Sequence, residues 1–178
     1  MAELAPSRSE ALVPLEIFIR ERLRLSRGDF IRAYPTPMLL VQLGQVPLDE
    51  GAFRTMNVGP EGLPKGEGYE MLVAPVRKRT DDAFTAFVWV GRAEQCDICL
   101  PFESVSKLQA QFVRKGELFQ LLDVGSTNGT FLEGAKLERD RPQPVPDGAE
   151  LRFGQVRARF CLAERFEAEV ELAAKLRR

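Results

Sequence analysis

The chain has 178 residues, 44% of them apolar, and a formal charge of -1 from 25 basic and 26 acidic side chains. That is enough apolar material for one good core with extensions, and too little net positive charge for a global field that would hold nucleic acid or an anionic membrane. The absence of histidine excludes Ser-His and Cys-His catalysis and histidine-ligated metal centres, and three cysteines are an odd and sparse set for a disulfide framework.

The opening MAELAPSRSE lacks the basic-then-apolar order of a secretory signal. The first thirty residues read as helix: Leu15, Phe18, Ile19 and Leu23 recur at steps of three and four, Pro14 suits the first turn, and Gly28 follows the run as a stop. Arg20, Arg22, Arg24 and Arg27 crowd its latter half. Because Glu16, Glu21 and Asp29 are interspersed and cations are favoured near a helix C-terminus, these arginines read as a solvated face rather than a basic partner-binding surface.

From 34 to 68 the texture changes. Pro35, Pro37, Pro47, Pro60 and Pro64, with Gly51, Gly59, Gly62, Gly66 and Gly68, break the segment into pieces, and only MLLVQL at 38–43 looks like a strand. Residues 1–68 are therefore read as an N-terminal helix and a loop-rich extension laid against the main domain. The apolar runs MLLVQL and TAFVWV (85–90) fall far short of the roughly 20 residues a membrane span requires, so a cytoplasmic protein is the expectation.

From 69 onward the chain reads as short strands and turns. YEMLVAPV and TAFVWVGR flank the polar RKRTDDA stretch, which predicts a hairpin loop with Arg77, Lys78 and Arg79 as solubilising tip residues ahead of Asp81 and Asp82. DICL, AQFVRKG, ELFQLLDV, GTFLEG and AELRFG through ARFCLAE follow, separated by Gly116, Gly125, Gly134 and the turn from Pro142 to Gly148. This spacing predicts an all-β core, a sandwich of two twisted, mostly antiparallel sheets over 69–164. Cys96 and Cys99 form a C-x-x-C with no second pair, so they read as structural thiols rather than a zinc or redox site. At the end, Leu162, Phe166, Val170 and Ala173 make an apolar stripe with Lys175, Arg177 and Arg178 late, which predicts a helix over 165–178 that caps the sandwich.

Three segments carry the chemistry: VGR at 90–92, VSK at 105–107 and GSTNGTF at 125–131. Each sets a guanidinium, a hydroxyl beside an ammonium, or a Thr-Asn pair before Gly129 at the end of a strand-like run, which together suggest an anion site built from loops. Gly129 after Asn128 permits a positive φ that turns the chain so that Asn128 projects outward.

The ordered runs FVWVGR, CDICLP, VSKLQAQF, LLDVGSTNGTFLEG and PDGAELRFG make residues 69 to about 164 resemble a forkhead-associated (FHA) domain, a module that binds phosphothreonine peptides. The resemblance implies that Arg92 and Ser106 contact the phosphate, that Lys107 and Thr127 are auxiliary phosphate contacts, and that Asn128 hydrogen-bonds the ligand backbone. Gly91, Gln109 and Gly129 would support the site. Two positions depart from the family pattern. Gln109 stands where the family usually has a structural histidine, and its amide can both donate and accept. Lys107 replaces a more usual arginine, which keeps the charge and loses the bidentate fork.

The function these readings imply is non-catalytic recruitment of a partner phosphorylated by a Ser/Thr kinase, with no cofactor, no metal and no nucleic acid. The alternative is a phosphate-independent scaffold that binds partners through its helices or its N-terminal extension. An enzymatic reading would need Asp81 and Asp82 or the C-x-x-C as a reaction centre, and nothing in the sequence sets those groups beside a substrate pocket.

Overall fold

In the computed structural model, which describes residues 12–42, 71–79 and 87–176, the alternating apolar runs pair into two sheets. One has seven strands in the order β1 (Val13–Pro14), β3 (Met71–Pro75), β2 (Met38–Gln42), β12 (Val156–Cys161), β11 (Glu150–Phe153), β8 (Thr130–Leu132) and β9 (Ala135–Lys136). The other has five in the order β10 (Gln143–Pro144), β7 (Leu118–Asp123), β6 (Ala110–Lys115), β4 (Phe87–Gly91) and β5 (Ile98–Cys99). Among these strands the pairing of β4 with β5 is parallel and the others are antiparallel.

Because side chains alternate across a strand, each sheet sends every second residue inward. Leu39 and Val41 of β2, Leu151 and Phe153 of β11 and Phe160 of β12 meet Val88 and Val90 of β4, Phe112 of β6 and Leu121 of β7 in one buried core. Phe112 stacks on Phe160 across the layers, their ring centroids 5.8 Å apart.

A second core lies outside the seven-stranded sheet. Helices α1 (Leu15–Arg24), α2 (Arg27–Ala33) and α3 (Ala163–Leu176) set Phe18, Phe30, Phe166 and Val170 against Met38 and Leu40 of β2, Val73 of β3 and Cys161. Phe18 meets Phe166 edge-on at 5.2 Å and Phe30 stacks on the same ring at 5.9 Å. The MLLVQ run, grouped in the sequence with the loop-rich extension, is thus an interior strand of the sheet. It is apolar without alternation because one face meets the sandwich core and the other the helices.

Five expectations change. Strands β3 and β4 do not form a hairpin: β3 pairs with β1 and β2 in one sheet, and β4 with β5 and β6 in the other. The N-terminal run is two helices: Leu25 is extended, Ser26 caps α2 by accepting from Asp29 N at 3.2 Å, and Gly28 lies inside α2 instead of stopping α1. The basic face is not wholly solvated, since Arg22 and Arg27 both grip Glu167 of α3, at 2.6 and 3.0 Å. In α3 Phe166, Glu167, Val170 and Ala174 are the buried residues, while Leu162 lies before the helix and is exposed. Lys78 and Arg79 are not free loop-tip cations: Lys78 Nζ and the Arg79 amide both reach the buried Asp97, each at 3.1 Å. The extension over 43–68, the loop residues 80–86 with Asp81 and Asp82, and Arg177 and Arg178 lie outside the described residues.

Candidate functional site

Strand β4 ends in the VGR motif, and Gly91 is required there by space. A Cβ at Gly91 would lie 2.2 Å from the Lys107 carbonyl oxygen, so only hydrogen allows the two segments to touch. The closeness is used. Arg92 N donates to Ser106 O at 2.9 Å and Ala93 N to Lys107 O at 3.2 Å, zipping VGR to VSK. The Arg92 side chain is half-buried, with Nε donating to Val105 O at 3.2 Å, which fixes the root of the guanidinium.

The two C-x-x-C thiols serve the same junction. Cys96 Sγ donates to Lys107 O at 3.3 Å and Cys99 Sγ to Arg92 O at 3.5 Å, and both side chains are buried. Burial pushes the Cys99 thiol up to about 11, so it stays protonated and able to donate. Between them Asp97 accepts from Trp89 N at 2.8 Å in addition to Lys78 and Arg79, which ties the loop after β4 back onto the strand.

Ser106 and the GSTNGTF loop are drawn together by one buried side chain. Gln109 is fully buried (0% exposed). Its Oε1 accepts from Ser106 N at 2.9 Å, and its Nε2 donates to Gly129 O and to Thr130 Oγ1, each at 2.9 Å. A single amide thereby bridges loops 20 residues apart, using both its acceptor and its donors. Across the bridge Thr127 N donates to Ser106 Oγ at 2.9 Å, with the two hydroxyls 3.4 Å apart. Asn128 is exposed, and its Nδ2 donates to Ser104 O at 2.9 Å. Gly129 has φ +85°, the left-handed conformation its place after Asn128 suggested.

Beneath this rim lies support with little or no sequence signal. Asp123, buried at the end of β7, accepts from Gly125 N (2.8 Å), Ser126 N (2.9 Å) and Thr130 Oγ1 (2.6 Å), and from the Ser126 hydroxyl. Burial works to raise its pKa, and the combined hydrogen bonds from Ser126, Thr130 and Gly125 outweigh it, holding the carboxylate below the usual range. An Asp two residues before Gly-Ser is an Asx-turn pattern, a signal available in the sequence. Ser104 had none. Its carbonyl receives Asn128 and its Oγ accepts from Gln155 N at 3.1 Å. Gly154 approaches that carbonyl so closely that a Cβ would lie 2.1 Å from it.

The structure thus brings Arg92, Ser106 and Thr127 to one rim with Asn128 beside them, and Lys107 adds an exposed ammonium on the same turn. Fixed cationic and hydroxyl donors at a solvent-facing edge suit a tetrahedral dianion with three acceptor oxygens.

Comparison with known proteins bears on this arrangement. Residues 88–154 match the family model described as FHA domain. The oxoglutarate dehydrogenase inhibitor of Corynebacterium jeikeium is 34% identical over 108 residues, 57% of this chain and 69% of that protein. The glycogen accumulation regulator GarA of Mycolicibacterium smegmatis is 33% identical over 108 residues, 57% of this chain, and the match spans 63% of its length. Among solved structures, an engineered FHA with a Myc-pTBD peptide aligns with a TM-score of 0.49 at 17% identity, covering 77% of this chain and 98% of that one.

Proposed function

The chain belongs to the FHA domain family, and on that premise we propose that its rim reads phosphothreonine in a peptide without catalysing any reaction on it. The observation that carries the reading is the Gln109 bridge, which holds the Ser106 and Thr127 loops in contact while Arg92 is zipped to the same segment. In this reading Arg92 and Ser106 take the phosphate oxygens, Lys107 and Thr127 add charge and a hydroxyl, and Asn128 meets the ligand backbone. Gly91, Gln109 and Gly129 act beneath them. The protein recruits a partner after a Ser/Thr kinase has modified it, and three free buried thiols suit a reducing cytoplasm. A scaffold working through the helices has less to offer, because Phe18, Phe30, Phe166 and Val170 are already packed on one another.

The test is a titration of one threonine peptide, phosphorylated and not, against wild type and Arg92→Ala. A charge-assisted hydrogen bond contributes about 1.5–3 kcal/mol, so Arg92→Ala should weaken phosphopeptide binding by roughly 10- to 100-fold. Equal affinity for the two peptide forms would refute phosphate reading.

A further inference from the structure

The helices roof only part of the seven-stranded sheet. On its outer face the register sets six residues side by side, one from each of β9, β8, β11, β12, β2 and β3: Lys136, Phe131, Arg152, Arg157, Gln42 and Met71. They face outward because their neighbours along the strands, among them Leu151, Ala158, Val41 and Leu72, belong to the sandwich core. With the strand spacing of about 4.8 Å, the row is roughly 24 Å long. Five of its members line a depression of about 500 Å³ whose border includes Glu150, Arg159 and Glu169.

The charges in this row are arranged in an unusual way for a sheet surface. Arg152 and Arg157 are directly opposed on neighbouring strands, where like charges repel. The bordering carboxylates are engaged by Arg159, Glu150 at 3.3 Å and Glu169 at 3.0 Å. Among the described residues neither Arg157 nor Lys136 forms an ion pair. Arg152 is held flat, its guanidinium carbon 3.4 Å from the Phe131 ring centroid and its Nη1 donating to Gly154 O at 2.6 Å. With Arg159, four cations stand against the carboxylates of Glu150 and Glu169 on this face, a local positive surplus on a chain whose formal charge is -1.

The row also abuts the rim. A Cβ on Gly129 would lie 2.8 Å from Lys136 Cε and 3.1 Å from Phe131 Cε2, and Gly154 N donates to Gly129 O at 2.9 Å. We propose that this row binds an acidic peptide segment. Charge complementarity selects the occupant, and the length of the row suits about seven extended residues at about 3.4 Å each. That the segment belongs to the same partner that presents the phosphothreonine rests on the reading of the rim above; the acidic site itself does not.

The experiment uses two fluorescein-labelled peptides and the full chain at low salt, read by anisotropy. One is seven glutamates without phosphate; the other carries a phosphothreonine and no acidic residue. The double variant Lys136→Gln/Arg157→Gln removes two exposed charges and leaves Arg152 on Phe131, and thermal unfolding checks that it folds as wild type does. The glutamate peptide is expected to bind wild type with salt-sensitive affinity, to lose at least 10-fold on the double variant, to recover on Lys136→Arg/Arg157→Lys, and to be unmoved by Arg92→Ala. Equal glutamate-peptide binding by wild type and the double variant, or none by wild type, overturns the acidic site. Failure of the phosphothreonine peptide to bind wild type, with the glutamate peptide behaving as expected, would instead count against the rim while leaving the row supported.

Discussion

Gln109, fully buried, is one residue that ties the Ser106 and Gly129 loops together. Its amide receives Ser106 N and donates to Gly129 O and Thr130 Oγ1, and Thr130 passes the connection to Asp123. An imidazole, with two ring nitrogens, could not supply these two donated bonds and one accepted bond at once, whereas the Gln109 amide does. Asp123 is the anionic terminus of that network, and its depressed pKa makes a pH prediction. A carboxylate with a lowered folded pKa contributes stability that is fully present above the unfolded value, about 3.9, and is lost as pH falls through the folded value. Asp123→Asn should therefore be clearly less stable than wild type at pH 6, and the gap between their thermal midpoints should narrow as pH is lowered below about 4. A gap unchanged at the acid end would show that the charge on Asp123 contributes nothing.

At the scale of elements, the helical cap is locked to itself by a buried charge. Glu167 on α3 is 1% exposed and is held by Arg22 of α1, 19% exposed, and by Arg27 of α2, 63% exposed. Arg22 also reaches Leu25 O at 3.3 Å, the carbonyl where α1 gives way to the Ser26 cap. Removing one partner of a buried pair leaves the other charge under-compensated, whereas an exposed pair is screened by water. Arg22→Met should cost about 3 kcal/mol, the low end for breaking a buried pair because Arg27 still engages Glu167, and Arg27→Met under about 1 kcal/mol, read from urea midpoints. The reverse order would mean that burial does not decide the worth of these pairs. The same region shows what the sequence could and could not reveal. Strands with one face toward the core, such as Phe87–Gly91 and Val156–Cys161, alternate and were legible. MLLVQ, covered on both faces, carries no period, and the break at Leu25 has no glycine or proline to mark it. In the rim the donor side chains were visible as motifs. The acceptors that position them, the carbonyls of Ser104, Val105 and Ser106, are backbone atoms, which residue identity does not announce.

For the whole molecule, the segment that matches the family model is smaller than the unit that can bury itself. Residues 88–154 hold the rim, β5 to β11 and almost all of β4. They lack β2, β3 and β12, which stand together in the seven-stranded sheet and supply its pairing beyond β11. Of the 23 buried residues in the sandwich core among the described residues, eight lie outside the segment: Leu39, Val41, Leu72, Ala74, Val76, Val156, Ala158 and Phe160. Phe160 is the ring on which Phe112 and Phe119 both pack, at 5.8 and 5.4 Å. Deleting a buried phenylalanine alone costs about 3–5 kcal/mol, a large share of the 5–15 kcal/mol that stabilises a typical domain. The isolated segment also leaves β11 with an open edge beside an uncovered apolar face, an arrangement that favours intermolecular pairing. A fragment of residues 88–154 is therefore expected to be unfolded or aggregated, with poorly dispersed amide NMR signals, while residues 12–176 unfold cooperatively in urea. A dispersed, monomeric spectrum from the shorter fragment would show that the rim does not depend on β2, β3 and β12 for its support.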